Sequence, residues 1–207
     1  MLFFVKELEE ENIADCYYLD AGDKCYYLGD YTPRGGYSCS EINQLITNLK
    51  KSESRRGSND YHYKIEAIKT CAEYIGKILS QNLNIVIVPI PPSKSKDHEL
   101  YDNRIIQIAE LASSGKNNVD VLEFVEQIAS TEAVHLSEAK RPTPEQLQKN
   151  YRIAPGFSLS PTIDAVFILD DILTTGSHFK AIKNMLLEEY PHLSNKIYGL
   201  FIAKVIR

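Results

Sequence analysis

The residues with the most chemical content lie late in the chain, in the stretch Asp170-Asp171-Ile172-Leu173-Thr174-Thr175-Gly176-Ser177-His178. They follow the apolar run Ala165-Val166-Phe167-Ile168-Leu169, which reads as a strand buried on both faces of a parallel sheet. A helix with Phe179, Ile182, Met185 and Leu186 on one face comes directly after. A buried strand thus delivers two carboxylates to a sheet edge, and three hydroxyl residues and a glycine lead into a helix N-terminus. The unpaired N–H groups there, at the positive end of the helix dipole, suit a phosphate. Thr174, Thr175 and Ser177 add donors, Gly176 lets the backbone approach closely, and His178 is a further donor. Asp170 and Asp171 cannot bind that phosphate, but they accept hydrogen bonds from sugar hydroxyls. A phosphate on the loop and a diol on the acids together describe a ribose 5-phosphate. Helix capping alone explains Ser and Thr at these positions. It does not explain the paired acids.

A second loop follows the run Ile85-Val86-Ile87-Val88, also predicted as a fully buried strand. It reads Pro89-Ile90-Pro91-Pro92-Ser93-Lys94-Ser95-Lys96. Prolines fix the turn, and Ser93, Lys94 and Lys96 offer cations and a hydroxyl to a second anion such as a departing pyrophosphate. Alone, this loop reads equally well as a solvated turn. In open α/β sheets ligands sit outside the carboxyl ends of the strands, which is where both loops emerge.

The stretch 166–178 resembles the phosphoribosyl-pyrophosphate signature of the type I phosphoribosyltransferases, in which four apolar residues precede two acids and a Thr-Thr-Gly-type loop. The signature spans about thirteen residues and is more specific than a lone GxGxxG. Such loops usually end in a small hydroxyl residue where this chain has His178. An Asp-Asp pair at a strand end also holds magnesium in receiver domains, but early in the domain. This pair stands at position 170 of 207.

Val88-Pro89-Ile90-Pro91, the basic loop and Tyr101-Asp102-Asn103-Arg104 resemble the corresponding region of the ComF branch, the competence-associated phosphoribosyltransferase-like proteins. That branch is usually Arg-rich where this chain has Lys94 and Lys96. Arg141-Pro142-Thr143-Pro144-Glu145-Gln146 resembles its Arg-x-Thr-x-x-Gln segment, a loop that closes over bound substrate, with Arg141 reaching the pyrophosphate. The plainer reading is a linker into a short helix.

The resemblance implies a type I phosphoribosyltransferase fold, phosphoribosyl pyrophosphate as donor, and magnesium held mainly by the donor, with Asp170 or Asp171 reaching it through water. Asp170 and Asp171 then orient the diol, Thr174 to His178 grip the 5-phosphate, and Ser93, Lys94, Lys96 and Arg141 stabilise pyrophosphate. A second reading is a non-catalytic sensor or accessory factor in DNA uptake, repair or defence, which binds nucleotide or donor without turnover.

These loops need an α/β frame, and the pattern supplies one from about residue 62. Ile65, Ile68, Ala72, Ile75 and Leu79 keep helical spacing. A helix is expected over roughly 101–112, a short strand near 119–122 and a last strand near 197–203. Alternating strands and helices predict a mostly parallel sheet flanked by helices. Before that core, residues 13–31 read as a Tyr-rich β-hairpin turning at Asp20-Ala21-Gly22-Asp23. Ser38-x-x-Glu41 reads as a capping box opening a helix that Lys50 and Lys51 close. The expected division is an N-terminal extension, 1–60, packed on a core, 61–207. The Tyr pairs on the hairpin are explained by alternating burial, with a base-stacking platform as the sharper alternative.

Composition bounds the rest. The 207 residues are 43% hydrophobic and 25% charged, which excludes a wholly disordered chain and a collagen-like one. The net charge of −5 argues against a dedicated duplex-DNA binder. A nucleic-acid partner is therefore not indicated by charge, although Lys50, Lys51, Arg55 and Arg56 cluster; a homodimer stays open. No apolar run approaches the roughly 20 residues of a membrane span, and the acidic start does not read as a signal peptide, so the expected compartment is the cytoplasm. Cys16, Cys25, Cys39 and Cys71 contain no CxxC pair and read as reduced thiols rather than the zinc module many ComF relatives carry. GxxxxGK[ST], HExxH and GxSxG are all absent from the sequence.

Overall fold

The structure, a computed structural model, describes residues 3–130 and 142–206. Its centre is a six-stranded sheet. β1 (Lys6–Glu7), β2 (Cys25–Tyr31), β3 (Ile85–Pro89), β4 (Val119–Val121), β7 (Ala165–Leu173) and β8 (Ile197–Val205) lie in the order β1-β2-β8-β7-β3-β4. Only β1 runs antiparallel to its neighbour; every other pairing is parallel. A separate antiparallel pair joins β5 (Val125–Gln127) to β6 (Tyr151–Ile153).

The unbroken apolar runs have the predicted consequence. Ile85 and Ile87 face one core, while Val86 and Val88, one residue out of phase, face the other. The first core lies under α2 (Glu41–Leu49), α3 (His62–Ile78) and α4 (Arg104–Ser113). The second lies under α6 (Ser177–Glu189), with Leu147 from α5 (Pro144–Asn150) and Leu8, Cys16 and Leu19 from the N-terminal segment. A four-residue helix, α1 (Glu10–Ile13), lies within that segment, between Leu8 and Cys16. No helix among the described residues is long and apolar enough to cross a membrane.

Three local expectations need correction. Residues 13–31 are not a hairpin: 14–24 form turns, and Cys25–Tyr31 is an inner strand parallel to β8. Its antiparallel partner is β1. The Tyr and Cys residues taken for a first strand fail to alternate, with Cys16 buried, Tyr17 exposed, Tyr18 half-buried and Leu19 buried. Residues before position 60 therefore supply a sheet strand and a core helix, and Leu28 and Ile46 share one hydrophobic cluster with Ile87.

The cap of α2 is Ser40, not Ser38. Its hydroxyl accepts from the Asn43 amide at 3.0 Å. Buried Asn43 then holds the loop after β2, accepting from the Thr32 amide at 3.1 Å and donating to the Thr32 carbonyl at 2.9 Å. Finally, the strand expected to end at 169 continues to Leu173, so both acids lie inside β7. Asp170 pairs with Phe201 and Ile172 with Ala203 in the neighbouring β8.

Candidate functional site

Placing Asp170 and Asp171 within a strand separates them. Adjacent residues of a strand point to opposite faces, so the two carboxylates enter different surroundings. Asp171 is buried on the face of α2, α3 and α4. One of its carboxylate oxygens accepts from Arg104 at the start of α4, through Nε at 3.2 Å and through Nη2. The other lies 3.3 Å from Nζ of Lys50, the residue that ends α2. Burial alone would raise the Asp171 pKa, yet Lys50 and Arg104 outweigh it and lower the group to about 2.

Asp170 is half-buried on the other face, near Tyr151. One of its oxygens accepts the Asp171 amide at 2.7 Å. Burial, followed by the negative charge of Asp171, raises its carboxyl to about 7. Two neighbouring acids therefore differ sharply in proton affinity. Asp171 is a fixed anion; Asp170 is the acid whose charge is sensitive to what binds beside it.

Behind Asp171 runs a chain of charges. Arg104 also donates to Asp102, and Asp102 accepts from Nζ of Lys64 at 2.7 Å. Lys64 is 1% exposed and is held from three sides, by Asp102, by Glu53 at 2.7 Å and by the Lys51 carbonyl at 2.8 Å. Glu53 further accepts from the Tyr61 hydroxyl and from Arg56. The basic cluster noted in the sequence is thus neutralised residue by residue. Lys50 meets Asp171, Lys51 and Arg55 meet Asp60, and Arg56 meets Glu53.

Beyond Leu173 the chain makes the expected turn into α6. Gly176 caps the helix in the left-handed region, at φ 79° and ψ 4°, a conformation that favours glycine. A Cβ at Gly176 would also lie 2.5 Å from a Leu19 methyl group. The N-terminal segment is seated on this loop, with the Tyr18 amide donating to the Thr175 carbonyl at 2.9 Å. Thr174 and Thr175 are half-buried, and the buried Ser177 accepts from the Thr175 hydroxyl at 3.4 Å. The His178 ring reaches β6, where its Nδ1 lies 2.7 Å from the Tyr151 hydroxyl. Burial, with Asp170 nearby, raises the Tyr151 phenol above its ordinary range, so it stays neutral.

The loop after β3 opens at the same sheet edge. Pro89 pairs with Leu169, and the Ile90 amide donates to the Leu169 carbonyl at 2.9 Å, one residue before Asp170. Ser93 is exposed and Lys94 half-buried. Lys96 leans the other way, 2.9 Å from Glu123 and 3.3 Å from Glu126. Arg141 lies outside the described residues. Thr143 and Gln146, two residues of the Arg-x-Thr-x-x-Gln segment, form a reciprocal capping box at the start of α5.

The structure sets Asp170 and Thr174 to His178 along the junction of β7 and α6, with the root of the 93–96 loop beside Leu169. Asp171, expected to orient a ribose diol, is instead turned to the opposite face and held by Arg104 and Lys50. The structure adds Lys50, Arg104 and Tyr151. Tyr151 had no sequence signal, because its partner is 27 residues away. Arg104 carried one, standing in the Tyr-Asp-Asn-Arg text already noted. No protein-family model matches the chain, and no curated protein does.

Proposed function

We propose that the protein is a type I phosphoribosyltransferase-like enzyme that binds phosphoribosyl pyrophosphate and transfers its phosphoribosyl group to an acceptor. The observation that carries this reading is the junction of β7 with α6. A parallel strand presents two acids of opposite surroundings, then turns through a left-handed glycine into the N-terminus of a 13-residue helix. Such a terminus favours a phosphate, and Asp170, half-buried just before it, is the acid left to meet a sugar.

In this reading the 5-phosphate sits on Thr174 to His178. Asp170, with one oxygen on the Asp171 amide, uses the other for the ribose hydroxyls. Its negative charge also stabilises the positive charge that grows on the ring. Asp171 stays paired with Lys50 and Arg104 and keeps the strand end rigid. Pyrophosphate points toward Ser93 and Lys94. Magnesium, which the phosphoribosyltransferase resemblance implies, would be held mainly by the donor, with Asp170 or Asp171 reaching it through water, and would offset the charge of the leaving pyrophosphate. The C1–O bond to pyrophosphate breaks and its electron pair leaves with pyrophosphate. The acceptor's lone pair closes on C1, and the acceptor's proton passes to solvent. Positioning and electrostatics suffice, with no protein nucleophile.

Binding without turnover is the second reading, and one observation favours it. Lys96 is already paired with Glu123 and Glu126, which among the described residues leaves Lys94 as the cation of that loop for pyrophosphate. Pyrophosphate release with a panel of nucleobases and amines separates the two. Release with any acceptor supports transfer; tight donor binding with no release across the panel supports the sensor.

A further inference from the structure

We propose that Tyr151 is a positioning residue for the phosphate loop: its hydroxyl holds the His178 ring in the tautomer whose proton sits on Nε2, so that the ring donates to the 5-phosphate. This rests on the ribose-phosphate reading and adds to it how a histidine serves at such a loop. The neighbouring side chains Thr174, Thr175 and Ser177 carry hydroxyls, which rotate to suit a ligand. A neutral imidazole has no such freedom. It donates from one nitrogen and accepts at the other, and the partner of either nitrogen decides which does which.

His178 is the second residue of α6, so its ring springs from the turn whose backbone N–H groups lack helical partners. Its Nδ1 lies 2.7 Å from the Tyr151 hydroxyl, with the two rings tilted by 40°. Tyr151 is 4% exposed, so the proton of its hydroxyl needs an acceptor inside the protein. Asp170 is felt at the phenol only as a charge, with no hydrogen bond between them. Among the described residues Nδ1 is the partner of that hydroxyl. A proton on Nδ1 would donate to the phenol oxygen and leave the phenol proton buried without an acceptor, which is costly. The phenol therefore donates to Nδ1, and the proton of the ring is on Nε2.

The mount of Tyr151 is rigid. The residue ends α5 and opens β6, where its backbone N–H donates to the Gln148 carbonyl and its strand partner is Gln127. Its ring lies in the hydrophobic core with Phe124 and Leu147. A hydroxyl fixed in this way sets the direction of the His178 ring as well as its tautomer. A donor aimed before the ligand arrives spares the cost of ordering it on binding.

Two measurements test this. Proton–nitrogen correlation spectra of the histidine rings, taken above the ordinary imidazole range, read the tautomer without any ligand, with His178 assigned by its loss in His178→Ala. The wild type should carry the proton on Nε2, and Tyr151→Phe should exchange between both tautomers. Calorimetric titration with ribose 5-phosphate should show about 3- to 10-fold weaker binding in Tyr151→Phe, the effect of about one hydrogen bond. Adding Tyr151→Phe to His178→Ala should weaken binding no further, because Tyr151 acts through His178. A proton on Nδ1 in the wild type, undiminished binding by Tyr151→Phe, or a Tyr151→Phe loss that persists beside His178→Ala overturns the positioning role and leaves the phosphate site standing. Failure of the wild type to bind ribose 5-phosphate overturns the phosphate site, and the role of Tyr151 in it, whichever tautomer the spectra show.

Discussion

Replacing Asp171 by Asn and Asp170 by Asn should move stability in opposite directions, although the two residues are adjacent and chemically identical. Asp171 neutralises two cations that are mostly withdrawn from water, with side-chain exposures of 20% for Arg104 and 28% for Lys50. Removing one member of a buried ion pair costs about 3–5 kcal/mol. Arg104 keeps Asp102 and Lys50 keeps some water, so the lower end applies, about 3 kcal/mol. For a chain of this size that is a fall in Tm of about 6–12 °C. Among the described residues no cation is paired with Asp170, and burial together with Asp171 disfavours its charge. Asp170→Asn keeps an acceptor for the Asp171 amide and removes that charge, so it should stabilise the protein at pH 8 by on the order of 1–4 kcal/mol.

The two effects also differ in pH dependence. The folded-state pKa of Asp170 is raised, so its contribution to stability is greatest below the ordinary carboxylate range and is lost as pH climbs to about 7. The advantage of Asp170→Asn should therefore be smaller at pH 5 than at pH 8. The pKa of Asp171 is lowered, so its contribution is present above the ordinary range and is lost as pH falls toward about 2. The deficit of Asp171→Asn should therefore be fully present at both pH values. Urea unfolding of the three proteins at pH 5 and pH 8 reads all of this. Equal destabilisation by the two substitutions, or an Asp170→Asn effect independent of pH, would refute the division of roles.

Lys64→Met leaves Glu53 and Asp102 facing each other without their shared cation, and should cost about 3–5 kcal/mol in urea unfolding. Gly176→Ala forces a left-handed backbone and a methyl group against Leu19; a loss of about 1–3 kcal/mol is expected, together with weaker binding of ribose 5-phosphate by calorimetry. Thr143→Ala removes the α5 cap, and about 1 kcal/mol of stability with it, while donor binding should be unchanged if Thr143 serves only the helix.

What was legible in the sequence followed from short-range pattern. The unbroken runs at 85–88 and 165–169 announced strands buried on both faces, and the turn from Leu173 through Gly176 announced a helix terminus. Two kinds of feature escaped. One was the end of β7, because Asp-Asp after an apolar run looks like a loop when its partners are unseen. The carboxylate of Asp171 stays inside only because Lys50 and Arg104, on two other helices, converge on it. The other was the N-terminal segment, where Tyr and Cys content suggested a strand. Its burial follows a turn instead, because Cys16 and Leu19 both pack inward and Leu19 fits against the glycine of a loop more than 150 residues later. The basic cluster at 50–56 was visible as charge, but its neutralising carboxylates are fixed by tertiary contacts such as Lys64 with Asp102.

The central claim is that the junction of β7 and α6 holds a phosphoribosyl donor, and calorimetric titration of the intact protein with phosphoribosyl pyrophosphate and magnesium tests it most directly. Saturable one-to-one binding is predicted for the wild type, with at least a tenfold loss in Asp170→Asn, which should remain folded. A wild type that gives no binding heat, or an Asp170→Asn variant that binds the donor as tightly as the wild type does, would contradict the account.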